Sequence, residues 1–295
     1  MSSPAEPAAL SVDAALLAAW PMPVHEGGDK FARGTAVVVA GSPRTPGAAR
    51  LAGEAALRMG AGRLEIVTAA DVAAPLGVAV PESLVVPLEC GPDDGLCWPL
   101  TDARLERLIR GADAVLIGPG LLGDTVGDVV AGALRWVADQ ALVVLDAGAL
   151  ATLGQLDPAL VPRGRLVLTP NRQELGDLAG DDAGDERASA ATVARRYGAV
   201  VTCFGRITAA DQCWEVGIGT PGLGTSGSGD VLAGLALGAL ARCGDPAQAA
   251  CWATFVHAAA GAGLARRAGE LSFLARDLVA EAPAVLHTAE RPPAA

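Results

Sequence analysis

The run TAVVVAGSPRTPGAARLAGEAALRMGAGRLEIVTA, residues 35–69, decides the fold. It opens on an unbroken apolar stretch rich in β-branched residues (35–41), the pattern of a strand buried on both faces. A helix is expected over 46–62, with small residues on its packing face and glycine at its end. RLEIVTA (63–69) is the next strand. Strand, helix, strand at this spacing is a βαβ unit, whose strands lie parallel. Working outward, ADAVLIGPG (112–120), ALVVLDAGAL (141–150) and GRLVLTPN (164–171) read as further buried strands. Helical stretches separate them, including VGDVVAGALRWVADQ (126–140). AVVTCFGRITAADQCWEVG (199–217) reads as two strands joined by a turn, and GDDAGDER (180–187) as a solvated turn opening a helix. From Gly229 onward the pattern is mostly helical. The expected fold class is α/β: a doubly wound, mostly parallel sheet flanked by helices.

The 295 residues accommodate one large α/β domain. The expected division is a loose leader with a short helix over 1–30, one domain over 31–288 and a disordered tail over 289–295. Hydrophobic residues make up 51% but aromatics only 3%, so alanine, valine and leucine must build the core. A net charge of -11 argues against nucleic acid and anionic membrane as partners, since both need a basic face. Lys30 is the only lysine, which excludes a Walker A loop. None of the six cysteines forms a CxxC pair, and no His/Cys cluster has zinc spacing, so no metal site is expected and the thiols read as small apolar residues of a reducing cytoplasm. The N-terminus lacks the basic start of a signal peptide.

In open parallel sheets ligands bind beyond the carboxyl ends of the strands. Four strand ends carry small or polar turns here: GSPRTPGAA, GPGLLG, DAGAL and TPNRQE. Each alone is weak, and their recurrence on one edge points to a ligand crevice. A fifth segment, GTSGSGDVLAG (224–234), runs from glycines into an apolar helix. Glycines let the backbone present N–H groups in a concave nest, and the helix start adds partial positive charge. The lone acid at the junction, Asp230, is either a first-turn acid stabilising the helix dipole or a general base beside a phosphate. The glycine run, which a simple cap does not need, favours the base.

GSGDVLAG resembles the G-x-G-D motif of the ribokinase-like superfamily, in which the aspartate is the catalytic base. Within that superfamily the chain resembles the ADP/ATP-dependent NAD(P)H-hydrate dehydratases from about Gly34 to Leu286. The resemblance rests on 37–68, on VLIGPGL, VVLDAGAL, LTPNRQE and GTSGSGDVLAG, and on the helical FVHAAAGAGLA. It implies repair of hydrated NADH or NADPH. The ring hydroxyl is phosphorylated by ADP or ATP with Mg²⁺, and phosphate then leaves. Carried over by position, Asp230 is the base and contacts the substrate. Phe204, Gly205, Arg206, Ile207 and Thr208, with Gly227, Ser228 and Gly229, bind the nucleotide. Ala48, Gly120 and Asn171 contact the dinucleotide. A homo-oligomer in the cytoplasm, served by a separate NAD(P)H-hydrate epimerase, is the implied setting. A small-molecule kinase of the same fold, phosphorylating a vitamin-precursor alcohol, is the alternative; a degenerate nucleotide-binding protein is the other.

The chain departs from the family pattern. Phe204-Gly205 stands where a Lys-Gly pair is usual, Thr225 where a second lysine is usual, and Asn171 where histidine is usual. Near the start, Asp29-Lys30-Phe31 stands for a His-Lys-Gly. Arg206 either replaces the lost charge or is a surface turn residue. Asp113 and Glu174 are candidates for holding hydrated magnesium, although Glu174, three after Asn171, equally fits a capping box. Asp146 reads as polar support, His257 as a packed histidine, and His25 and His287 as solvated.

Overall fold

The computed structural model describes residues 8–24, 29–180 and 185–291. Its centre is a ten-stranded sheet of β1 (Leu10–Ser11), β2 (Thr35–Val39), β3 (Arg63–Ala69), β4 (Ser83–Leu88), β5 (Ala114–Ile117), β6 (Leu142–Leu145), β7 (Leu166–Leu168), β8 (Ala199–Cys203), β9 (Arg206–Thr208) and β10 (Cys213–Glu215). The order across it is β1-β10-β9-β8-β7-β6-β5-β2-β3-β4. Every neighbouring pair is parallel except the two that involve β9. The helices are α1 (Ala14–Ala19), α2 (Pro46–Arg58), α3 (Ala70–Ala79), α4 (Ala103–Arg110), α5 (Val126–Trp136), α6 (Gly148–Thr152), α7 (Arg172–Ala179), α8 (Glu186–Tyr197), α9 (Ser228–Cys243), α10 (Pro246–Ala268) and α11 (Ala275–Ala289).

The continuous apolar strands follow from burial on both faces. In β2, Ala36 and Val38 enter the core beneath α2, α9, α10 and α11, whereas Val37 and Val39 enter the core beneath α4, α5, α7 and α8. Small residues let two helices approach closely on the first face. A Cβ on Gly234 would lie 2.2 Å from the Ala52 carbonyl oxygen, and one on Gly238 2.3 Å from that of Ala56. This seam sets α9 alongside α2 in the same direction. Both helices therefore begin at the carboxyl edge of the sheet. The chain builds β3 and β4 outward on one side of β2 and β5 to β8 on the other, so the topological switch point lies between β2 and β5.

Four details differ from expectation. The segment 199–217 holds three short strands rather than two. Strand β4 was not expected; it is a half-exposed edge strand containing Pro87, and an edge tolerates the missing N–H. The leader is not loose over 10–22: β1 pairs with β10, Val12, Leu17 and Met22 are buried, and the Trp20 carbonyl accepts from the side chains of Gln248 and Trp252. Its short helix, α1, is capped by Asp13. Finally, Lys30 and Asp113 lie at the amino ends of the strands. A Cβ on Gly62, just before β3, would meet the Lys30 carbonyl, and the Asp113 carboxylate accepts from Thr35 N at the start of β2. Neither reaches the carboxyl edge, so Asp113 is no candidate for magnesium there. His25 and the tail from 292 lie outside the described residues; His287 is exposed.

Candidate active site

The loops after β2 and β5 meet at the switch point. Gly41 N donates to the Pro119 carbonyl (2.8 Å), and Thr45 Oγ1 donates to the Gly120 carbonyl (2.6 Å). Gly120 has φ 64°, and a Cβ there would sit 2.7 Å from that of Ala48. Ala48 and Gly120, 72 apart in sequence, are thus direct neighbours at the first turn of α2. Ser42 and Thr45, whose hydroxyls bond each other at 2.7 Å, tie these loops together and were not singled out from sequence.

The next strand ends continue the edge. After β6 stands Asp146, only 4% exposed, with Thr169 Oγ1 donating to its Oδ1 at 2.7 Å. Burial, reinforced by the negative charge of Asp230, pushes the Asp146 carboxyl up to about 7. After β7, Asn171 caps α7 in a closed capping box: Glu174 N donates to Asn171 Oδ1 (3.0 Å), and Asn171 N donates to Glu174 Oε2 (2.8 Å). Glu174 is thereby committed to the helix start. After β8, Phe204 and Gly205 form a two-residue hairpin turn with φ 48° and 80°, the positive-φ pair such a turn requires. Phe204 is 63% exposed, and the Arg172 guanidinium lies 3.9 Å from its ring centroid. No sequence signal pointed to Arg172. Five neighbouring strand ends thus place Ala48, Gly120, Asp146, Asn171 and Phe204 along one edge, a span of roughly 19 Å at ordinary strand spacing.

The start of α9 faces this edge from the α2 side. Its N-cap is Gly227, with φ 86° and no side-chain cap; a Cβ there would lie 2.7 Å from Leu51 Cδ1 of α2. Ser228 is buried beneath and bonded to His257 of α10, with Nε2 2.9 Å from Ser228 Oγ and 3.1 Å from Ser228 O. Burial drops His257 to about 4, so its imidazole is neutral, and an Nε2 proton serves both contacts. Gly229 is exposed. Asp230 occupies the first turn of α9 and is half-buried, its carboxylate making no hydrogen bond to another described residue. Burial raises its carboxyl to about 6.

Of the turn expected to hold the nucleotide, only part reaches the edge. Ile207 is fully buried in the core, and Thr208 is buried at the far end of β9. Arg206 points to the α8 face, away from Ile207 and the core beneath α10, so its guanidinium is directed away from α9. Among the described residues no group of three or more His, Cys, Asp or Glu side chains is placed to hold a metal ion, and no helix is long and apolar enough to cross a membrane. The cysteines form no disulfide, and burial pushes the Cys203 thiol up to about 12.

Comparison with known proteins agrees with this architecture. The family model described as NAD(P)H-hydrate dehydratase matches residues 36–284. The chain is 42% identical over 293 residues to the ADP-dependent (S)-NAD(P)H-hydrate dehydratase of Xanthomonas campestris pv. campestris, covering 95% of this chain and 97% of the relative. The crystal structure of the ADP/ATP-dependent NAD(P)H-hydrate dehydratase of Bacillus subtilis, co-crystallised with ATP/Mg²⁺, superposes with a TM-score of 0.77 at 27% identity, covering 96% of this chain and 99% of that one. A ribokinase-like superfamily protein of Enterococcus faecalis superposes with a TM-score of 0.79 at 24% identity, covering 92% and 93% of the two chains. With a ribokinase-like fold, and with the match running through every strand end of the crevice, the chain belongs to the NAD(P)H-hydrate dehydratase family.

Proposed function

We propose that this chain is a nucleotide-dependent dehydratase of hydrated NAD(P)H, with Asp230 as its base. One observation carries the reading: a half-buried carboxylate in the first turn of α9, not engaged as a cap, beside the glycine-lined helix start at the topological switch point. Asp230 takes the proton of the ring hydroxyl as that oxygen attacks the terminal phosphoryl group of ADP or ATP. The N–H groups of Gly227 and Gly229 stabilise charge on the phosphoryl oxygens, the Ser228 N–H being turned to the Thr225 carbonyl (3.2 Å), and the α9 dipole adds to them. The ring C–O bond then breaks, phosphate departs with the hydroxyl oxygen, and loss of a proton from the adjacent ring carbon restores the double bond.

Ala48, Gly120 and Asn171 border the dinucleotide, where the absence of side-chain bulk at 48 and 120 lets a ring approach the backbone. Phe204 and Gly205, with the backbone of Arg206, border the nucleotide. For Ile207 and Thr208 burial confines any such role to the backbone. Magnesium would enter with the nucleotide, held chiefly by phosphate oxygens and water, and the half-buried Asp230 is the carboxylate that could approach it. When bound it neutralises phosphate charge. A homo-oligomer, a cytoplasmic location and a separate epimerase complete the proposed setting. The kinase alternative is not favoured, because the relative matched over 95% of the chain is named a dehydratase.

The test incubates the protein with hydrated NADPH, Mg²⁺ and either ADP or ATP, and follows the return of reduced-nicotinamide absorbance. Nucleotide-dependent recovery is expected. Phosphate release only with a vitamin-type alcohol would replace this reading by the kinase.

A further inference from the structure

A second cavity lies behind the hairpin, outside the crevice. Ile207 and Trp214 alternate into the core beneath α10. Arg206, Thr208 and Glu215 therefore face the other way, toward α8. Helix α8 turns Arg187 and Arg195 toward the same space, eight residues apart on one stripe. Ala8 and Ala9, just ahead of edge strand β1, close the far side. The cavity measures about 160 Å³, room for roughly five waters.

Its charge is opposite to that of the chain. The protein carries -11 overall, yet three arginines, Arg187, Arg195 and Arg206, line this cavity. Glu215 is the carboxylate that meets them: Arg206 Nη2 is 3.4 Å from its Oε1 and Arg187 Nη2 3.9 Å from its Oε2, both long contacts. The Arg206 side chain is 19% exposed, and its Nη1 is wholly buried with no hydrogen-bond partner among the described residues. The wholly buried Nη1 does not face the cavity, so what a ligand there meets is the arginine lining itself, and a small anion with several acceptor oxygens answers that positive charge. Arginine forks match tetrahedral oxyanions in bidentate geometry.

We infer that this cavity binds a small phosphate-class oxyanion, with Arg206 as the floor donor and Arg187 and Arg195 at the mouth. Thr208 and Gln212 supply further polar groups from the floor. The site stands apart from the dehydratase reading, because the cavity is on the opposite face of the hairpin from α9. The ligand is either free inorganic phosphate or the phosphate of a small monoester.

Calorimetric titration of inorganic phosphate and of methyl phosphate, at constant ionic strength set with chloride, tests it. The proteins compared are wild type, Arg206→Gln and the double variant Arg187→Ala with Arg195→Ala. Saturable phosphate binding is expected in the wild type, weakened at least about tenfold in both variants by loss of charge-assisted hydrogen bonds. Turnover should be unchanged in the double variant, whose two residues lie outside the crevice. Binding of both probes assigns the phosphate group in general, and binding of inorganic phosphate alone assigns the free ion; either supports the site. No saturable heat beyond that of chloride would overturn it. So would unchanged affinity in both variants, which would place the bound phosphate in the crevice.

Discussion

Helices α7 and α9 both start at the carboxyl edge, and both carry an acid three residues after the N-cap: Glu174 after Asn171, and Asp230 after Gly227. In α7 the circuit is closed. Asn171 and Glu174 satisfy each other's backbone N–H groups, so both side chains are engaged in holding the helix start. In α9 the cap position is a glycine with φ 86°, the helix start has no side-chain cap, and the carboxylate of the acid is hydrogen-bonded to no described residue. Burial then raises Asp230 to about 6, near the range where a carboxylate works as a base at neutral pH. The same position in two helices is structural in one and chemically open in the other. The difference lies in whether the cap residue has a side chain.

The largest expected effect is on Asp230. Asparagine keeps the shape and caps about as well as aspartate, but accepts no proton. Asp230→Asn should fold with a near-normal Tm, keep ADP or ATP binding, and turn over at least about a hundredfold more slowly. In the wild type, activity should rise with pH to a plateau above about 6, as the carboxyl ionises. Unchanged turnover in the variant would make the two helices alike and remove the proposed base.

Asp146 gives the next effect. Its folded-state value, about 7, lies above the ordinary aspartate value of 3.8, so the native state binds this proton more tightly than the unfolded chain does. The resulting stability is fully present below about pH 4 and is lost as pH rises through about 7. Asp146→Asn should therefore flatten the fall of Tm between pH 5 and 8 by several degrees. An identical pH dependence in variant and wild type would mean that Asp146 titrates normally.

Nucleotide affinity sharpens the comparison from the phosphate side. Arg172 already lies on the Phe204 ring, so Phe204→Lys would set like charges together and should gain nothing. Thr225→Lys adds a cation just before the open start of α9, and should tighten ADP or ATP binding about tenfold, the scale of one charge-assisted contact. Equal affinities in wild type and both variants, measured by calorimetry, would show that backbone amides already carry the phosphates. The smallest effect is expected at the closed helix: Asn171→Ala opens the α7 capping box and should cost about 1 kcal/mol, or about 2 °C in Tm.

Much of this was legible in the residues. Unbroken β-branched runs over 35–41 and 112–120 require strands buried on both faces, and helices between them require parallel crossovers. Glycine before an acid at 229–230 marked the open helix start, and the 171–174 spacing marked the closed one. Strand β4 was not legible, because a half-exposed edge strand with Pro87 lacks the apolar run that identifies its neighbours. Nor was the packing of the leader, since Val12, Leu17 and Met22 are buried only against partners far away in sequence.

Local residue type thus settled the elements and the chemistry available at their ends. Residue order along the chain cannot say which end of the sheet a polar residue occupies or which face of a strand it leaves. Lys30 and Asp113 were placed at the amino end, Arg206 on the face away from α9, and the Arg172 guanidinium on Phe204 only by the way strands and helices pack. The raised carboxyls of Asp146 and Asp230 have the same origin: desolvation depends on what the whole chain brings around a group, and no short stretch of sequence contains that information.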